Sequence, residues 1–229
     1  MRVLVVNAGS SSLKLRLLSD DDELIAAHDL DAPQAHVEPG ALAAALDGLG
    51  AVDAIGHRVV HGGEHFIGPA RIDPEVVAAL RALTELAPLH QPASLAALDA
   101  VAAVLPGPPA VACFDTAFHA ALPEVAATYA LPGEWRARWP LRRYGFHGLS
   151  HAYASRRAAE LLGRCSDDGL RLVTCHLGAG ASLAAVRGGR SVDTTMGFTP
   201  LDGLVMATRS GTVDPVSYTH LTLPTTPYV

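Results

Sequence analysis

Apolar and polar positions along this chain change rhythm repeatedly, and each rhythm predicts an element. Val3, Leu4, Val5 and Val6 form an apolar run too short for a lone helix and predict a buried strand. Asn7-Ala8-Gly9-Ser10-Ser11-Ser12 interrupts it with small, turn-prone residues. Leu13-Lys14-Leu15-Arg16-Leu17 then alternates strictly, the pattern of a half-buried strand. Together they predict a hairpin whose tip offers an amide, a glycine, three hydroxyls and, just beyond, a lysine. Such a tip can close backbone N–H groups around an anion, and it serves equally well as an exposed turn. It is not a P-loop, which sets Lys and Ser/Thr directly after its second glycine and opens a helix.

Residues 23–30 and 52–60 predict further strands, and 41–46 a short helix closed by Gly48. Asp73-Pro74 joins a capping residue to proline at the first helical position, opening a helix that runs to Pro88. Residues 92–104 predict another helix, ended by Pro106-Gly107-Pro108-Pro109, and 110–114 a buried strand delivering Asp115. The proline-bearing stretch 123–140 predicts a helix broken into pieces, and Ser150 caps a helix through Leu162. Residues 170–175 and 183–186 predict a second hairpin around His176-Leu177-Gly178-Ala179-Gly180-Ala181-Ser182, followed by a turn at Gly188-Gly189. Strands alternating with helices place the chain in the α/β class. Ser12-Leu13 recurs as Ser182-Leu183, which suggests a duplicated strand–loop–strand unit; chance likeness of two small-residue turns explains it too.

Composition narrows the function. The 229 residues are 49% hydrophobic but only 5% aromatic, so Ala, Val and Leu must build the core. A net charge of −6 without a Lys/Arg cluster argues against nucleic acid or an anionic membrane as partner. The opening apolar run is too short for a signal peptide, and no stretch approaches membrane-spanning length. Cys113, Cys165 and Cys175 are odd in number and lack Cys-x-x-Cys spacing, which suits free thiols in a reducing cytoplasm. Cys113 and Cys175 lie in apolar strand-like runs, where core packing is the expected role. Residues 216–229 contain no Ala, Gly or charged residue and read as a foreign segment, or else as an ordinary Thr/Pro-rich extension.

Several polar residues stand out against this background. His57, His61 and His65 recur at every fourth position and raise a zinc site. Gly62-Gly63 and the β-branched run before them disfavour the helix that would align the three, so polar loop histidines are the better reading. Arg58, inside an apolar strand, must find an anion or be exposed; a bound carboxylate or a structural salt bridge would satisfy it. Asp115 ends a strand, where open α/β sheets place ligands. His147 sits in Tyr144-Gly145-Phe146-His147-Gly148, and Arg209 is a lone arginine among small residues. Two glycine-bearing loops, two arginines, a histidine and a carboxylate compose an inventory for phosphoryl transfer.

The blocks NAGSSSLK, GHRVVHGGE, ELAPLHQP, FDTAFH, RRYGFHGLSH, TCHLGAGASLAAV and SVDTTMGFTPLDGLVMATRSGTVDP, in this order, resemble the acetate kinase family as far as about Pro215. The resemblance implies a ribonuclease H-like α/β fold of the actin, sugar-kinase and heat-shock chaperone ATPase superfamily, with two duplicated domains around a nucleotide. On this chain it sets residues 1–165 as the N-terminal domain, 166–215 as the beginning of the second, ATP-binding domain, and 216–229 as a tail unlike the family. It implies reversible transfer of the ATP γ-phosphoryl to acetate, giving acetyl phosphate and ADP, with Mg²⁺ or Mn²⁺. A cytoplasmic location is implied, and a homodimer in full-length members, with neither nucleic acid nor membrane as partner.

Residue by residue, the resemblance implies Asp115 at the catalytic acid/base position, with His147 and Arg209 stabilising the transition state. Arg58 would bind the acetate carboxylate, with His90 lining the same site. Val60, Leu89, Phe146 and Pro200 would receive the methyl group. Asn7 would be associated with Mg²⁺ and Lys14 would lie near the ATP phosphates. His176, Leu177, Gly178, Ala179 and Gly180 would form the ATP-phosphate loop, where Ala179 and Ala181 replace the Asn and Ser of many relatives. Acetate is already ionised at pH 7, so orienting the metal or the acceptor suits Asp115 as well as general-base catalysis does. Relatives continue well beyond these blocks, so the chain is expected to lack much of the second domain and to turn over little by itself. A propionate or butyrate kinase and a non-catalytic nucleotide-binding fragment are the alternative readings.

Overall fold

The structure, a computed structural model, describes residues 1–9, 12–33, 37–88, 91–165 and 168–216. Strands β1 (Val3–Ala8), β2 (Ser12–Leu18) and β3 (Leu24–Asp31) form an antiparallel meander. Strands β4 (Ala54–Val59) and β6 (Ala110–Phe114) continue the sheet in parallel with β1, and the two-residue β5 (Ala70–Arg71) ends it, in the order β3-β2-β1-β4-β6-β5. Helices α1 (Pro39–Asp47), α2 (Pro74–Ala82) and α3 (Gln91–Val104) fill the connections.

Alternation decides which face is covered. Leu4, Val6, Leu13, Leu15 and Leu17 point one way and pack with Leu42, Ala97 and Val101 from α1 and α3. The opposite face carries Asn7, Lys14 and Arg58: Lys14 pairs directly with Asn7 across β2 and β1. Continuing the parallel register that sets Val6 beside His57 places Arg58 next to Asn7. A polar row therefore crosses the sheet where its parallel strands end.

The start of α2 follows the predicted chemistry, with Asp73 accepting from Val76 N–H at 2.8 Å and proline in the first turn. Its end differs, because the last turn tightens to a 3₁₀ helix over Leu83–Leu86. The stretch around residues 123–140 holds two short pieces, α4 (Glu124–Ala127) and α5 (Gly133–Arg138). Helix α6 (Gly148–Leu161) begins before Ser150; His147, at φ 59°, is its cap residue instead. The second sheet contains β7 (Arg171–Leu177), β8 (Ala181–Arg187) and β9 (Arg190–Thr194). Strand β7 extends through Leu177, so His176 and Leu177 belong to it and the connecting loop shrinks to Gly178-Ala179-Gly180.

Two expectations are corrected. Cys175 is exposed, because β7 turns Thr174 inward and leaves Val173 and Leu177 at 68% and 74% exposure. His57 is buried within β4 and His61 is buried in the loop that follows it; only His65 is exposed. Among the described residues, no group of three or more His, Cys, Asp or Glu side chains is placed to hold a metal ion. No helix among them is long and apolar enough to cross a membrane.

Candidate active site

The site begins at the ends of β1, β4 and β6. The Asp115 backbone N–H donates to the Val59 carbonyl at 3.0 Å, so the sheet register carries one residue beyond β6 and fixes this carboxylate. Arg58 reaches it side-on: Nε donates to Oδ1 and Oδ2 at 3.2 and 3.1 Å, and Nη2 to Oδ2 at 2.6 Å. Nη1 donates to Asn7 Oδ1 at 3.0 Å. Asp115 is buried, whereas the Arg58 side chain keeps 29% of its surface exposed. Burial opposes the Arg58 charge, but the adjacent Asp115 carboxylate outweighs it and holds the guanidinium above its ordinary pKa.

A guanidinium has five N–H donors. Asp115 occupies the Nε hydrogen and one on Nη2, and Asn7 one on Nη1. One hydrogen on each terminal nitrogen is left without a partner among the described residues. Those two are donors that a second carboxylate can use.

Histidines supply the other wall. Gly148 N–H donates to the Asp115 carbonyl at 2.8 Å, tying the start of α6 to the end of β6. A Cβ on Gly148 would collide with that carbonyl, so glycine is required for the approach. His147 sits immediately before it in the left-handed region, a conformation that costs a non-glycine residue about 1–2 kcal/mol. Its ring stacks on His176 with centroids 4.0 Å apart, and its Nδ1 lies 2.9 Å from Ser182 Oγ. Nδ1 of His176 in turn lies 2.9 Å from Ser150 Oγ. A Cβ placed on Gly180 would stand 3.2 Å from His147 Nε2, so this nitrogen faces the Gly178–Gly180 loop.

Behind this wall, His151 Nε2 lies 2.8 Å from Ser182 Oγ and its Nδ1 2.8 Å from Thr174 Oγ1. His119 Nε2 donates to the Phe146 carbonyl at 3.1 Å, so its Nδ1 accepts from Ser191 Oγ at 2.8 Å. Burial pushes His147 down to about 3, aided by His176, Arg58, His151 and Arg209. It pushes His119 and His151 down to about 4, and it also lowers His176. These imidazoles are neutral at pH 7.

Of the residues singled out from sequence, Asn7, Arg58 and Asp115 form one hydrogen-bonded cluster, and His147 and His176 form one stack. Val60 and Phe146 are buried together with Tyr144 and Met196. Pro200 is held to Arg209, whose Nη1 donates to the Pro200 carbonyl at 2.9 Å. Lys14 is exposed on the same sheet face as Asn7. Ala179 accepts from Ala207 N–H at 3.0 Å through its carbonyl, which secures the loop without a side-chain donor. Leu89 and His90 lie outside the described residues. Ser182, His151 and Thr174 were missed, although His151 stands one helical turn after His147, a spacing that places both on one face.

Known proteins resemble this chain in sequence and fold. The acetokinase family model matches residues 41–226. The acetate kinase of Thermoanaerobacter pseudethanolicus is 45% identical, over 96% of this chain and 63% of that protein. That of Deinococcus radiodurans is 48% identical, over 96% and 62%. Porphyromonas gingivalis acetate kinase superposes with a TM-score of 0.83 at 38% identity, covering 96% of this chain and 63% of that one. A propionate kinase from Francisella tularensis superposes with a TM-score of 0.85 at 35% identity, with the same coverage. The chain thus spans about 63% of the length of these relatives.

Proposed function

This chain belongs to the acetokinase family, and we propose that its cluster of Asn7, Arg58, Asp115 and His147 is the carboxylate- and phosphoryl-handling side of an acetate kinase. The reaction is reversible transfer of the ATP γ-phosphoryl to acetate, giving acetyl phosphate and ADP. One observation supports this reading above the others: Arg58 is held by Asp115 and Asn7 yet keeps one hydrogen on each terminal nitrogen without a partner among the described residues. A free arginine would have to be ordered on binding; this one is already aimed.

Acetate brings its own negative charge toward a phosphate that is also negative, so the site must be cationic where the two meet. Arg58 supplies charge on the acceptor side. Arg209, close enough to depress His147, supplies it on the phosphoryl side. His147 faces the loop assigned to the ATP phosphates. Lys14 extends that side from β2 as a mobile point charge. Asp115 orients Arg58 and has no proton to remove from an ionised acceptor. Val60 and Phe146, packed with Tyr144 and Met196, give the acyl end an apolar wall; Pro200, Leu89 and His90 are assigned to the same side by likeness to the family.

No cluster of acidic and histidine side chains among the described residues could cage a cation. That suits a Mg²⁺ or Mn²⁺ ion arriving with the ATP phosphates, since Mg²⁺ keeps much of its water shell and takes few protein ligands. Asn7 would be associated with it, and the ion would neutralise phosphate charge when bound. A cytoplasmic location fits the three free cysteines, and the whole protein is assigned a homodimer, with no nucleic acid or membrane partner.

Acetate titration of the purified chain tests the assignment without requiring turnover. Acetate is expected to bind, and Arg58→Ala to weaken it about 10-fold or more, the worth of a charge-assisted hydrogen bond. Equal affinity in Arg58→Ala would remove Arg58 from the acetate site. In a full-length relative the same substitution should raise the acetate KM, and the propionate-to-acetate KM ratio would settle acyl preference.

A further inference from the structure

Ser182 Oγ stands between two imidazoles, 2.9 Å from His147 Nδ1 and 2.8 Å from His151 Nε2. The other His151 nitrogen, Nδ1, lies 2.8 Å from Thr174 Oγ1. A serine hydroxyl has one hydrogen and a neutral imidazole has one N–H. Ser182 can therefore donate to only one of the two rings and must accept from the other.

That constraint leaves two polarities for the whole line. In the first, Thr174 donates to His151 Nδ1, His151 Nε2–H donates to Ser182, and Ser182 donates to His147 Nδ1. His147 then carries its hydrogen on Nε2. In the second, each hydrogen reverses and His147 Nε2 becomes a bare acceptor. The far end separates them. Under the second polarity the Thr174 hydroxyl must send its hydrogen 3.4 Å to the Ala184 carbonyl rather than 2.8 Å to His151. The longer distance is outside the ordinary O–H···O range.

We infer that Thr174, His151 and Ser182 are positioning residues that fix His147 in its Nε2–H tautomer, so that it meets a phosphoryl group as a neutral hydrogen-bond donor. The assignment of a phosphoryl group as the ligand rests on the reading proposed above; the relay does not. An imidazolium at this position would face Arg58 from β4, Arg209 from the segment after β9, His176 from β7 and His151 from its own helix, and burial opposes the charge as well. A neutral ring can still donate to a phosphate oxygen, provided the correct nitrogen holds the hydrogen. The bare acceptor would repel that oxygen.

Nitrogen-15 NMR of the chain labelled at histidine distinguishes the tautomers directly. His147 is expected as a single species with Nε2 protonated and Nδ1 bare at pH 7. Thr174→Val removes the terminal donor without touching His147, and it should convert that single tautomer into a mixture with Nδ1–H. Thr174→Ser should restore it, which loss of packing at Thr174 alone would not predict. Ser182→Ala cuts the nearer link and should also give a mixture. An Nδ1–H tautomer in the unsubstituted chain, or an unchanged His147 in both Thr174→Val and Ser182→Ala, would overturn the relay. Failure of acetate to bind would overturn the functional reading and leave this result standing.

Discussion

The two walls of the site solve one electrostatic problem in opposite ways. On the sheet side, charges are kept and paired: Arg58 bridges Asp115 and Asn7. On the helix side, the polar residues are kept neutral, and four histidines (His119, His147, His151 and His176) meet hydroxyls in place of carboxylates. The contrast has a cause in chain geometry. Strand ends bring Arg58 and Asp115 together through parallel register, whereas α6 presents His147 and His151 to β7 and β8, whose inward positions are Thr174 and Ser182. Under the proposed function, the paired charges would hold one anion in place, and the neutral donors would leave the approach of the second to Arg209 and a cation.

Acid should break this contrast most severely. His57, His61, His119 and His151 are depressed to about 4 and His147 to about 3, all by burial first. The unfolded chain takes up protons near pH 6.5 that the folded chain refuses, so stability is full above about pH 6.5. It is lost as pH falls toward 4, by up to about 1.4 kcal/mol per pH unit for each fully buried ring. Urea midpoints measured from pH 7.5 to 5 should therefore fall steeply. A flat profile would mean that these rings find protons in the folded state.

Asp115→Asn attacks the other wall. It leaves the Arg58 guanidinium without its carboxylate and should cost roughly 2–3 kcal/mol in urea unfolding, somewhat below a fully buried pair because Arg58 is 29% exposed. The loss should change little between pH 7.5 and 6, which separates it from the histidine effect. Gly148→Ala strikes where the walls join, since its Cβ meets the Asp115 carbonyl. About 1–3 kcal/mol is expected, with both Arg58 and His147 resonances displaced in NMR spectra. Lys14→Ala is the mildest: exposed on its strand, it should alter stability by less than about 0.5 kcal/mol while weakening ATP binding.

Much of the sheet wall was legible in the chain. Alternation in Leu13–Leu17 identified the exposed face of β2, and an arginine within an apolar strand had to find an anion or be exposed. The short β5 and β9 were not legible, because Ala70-Arg71 and Arg190-Ser191-Val192-Asp193-Thr194 hold too few apolar residues to show a period. Strand β7 misled in the other direction: Cys175 read as buried, but the residue turned inward is Thr174. That same inversion hid the relay. A threonine and a serine acquire meaning only once α6 is laid against β7 and β8, and local periodicity carries no information about that contact. His176 and Leu177 likewise read as loop residues because small residues follow them, although they still pair with Ser182 and Ala181.

A single NMR experiment on the ¹⁵N-labelled chain tests the division of labour most directly. Acetate is added first, then ATP with Mg²⁺, while the Arg58 guanidinium and the His147 and His176 imidazoles are followed together. Acetate alone should move Arg58 and leave the two histidines in place, and the nucleotide should then move His147 and His176. Acetate shifts confined to the histidines, or an Arg58 signal indifferent to acetate, would contradict the account.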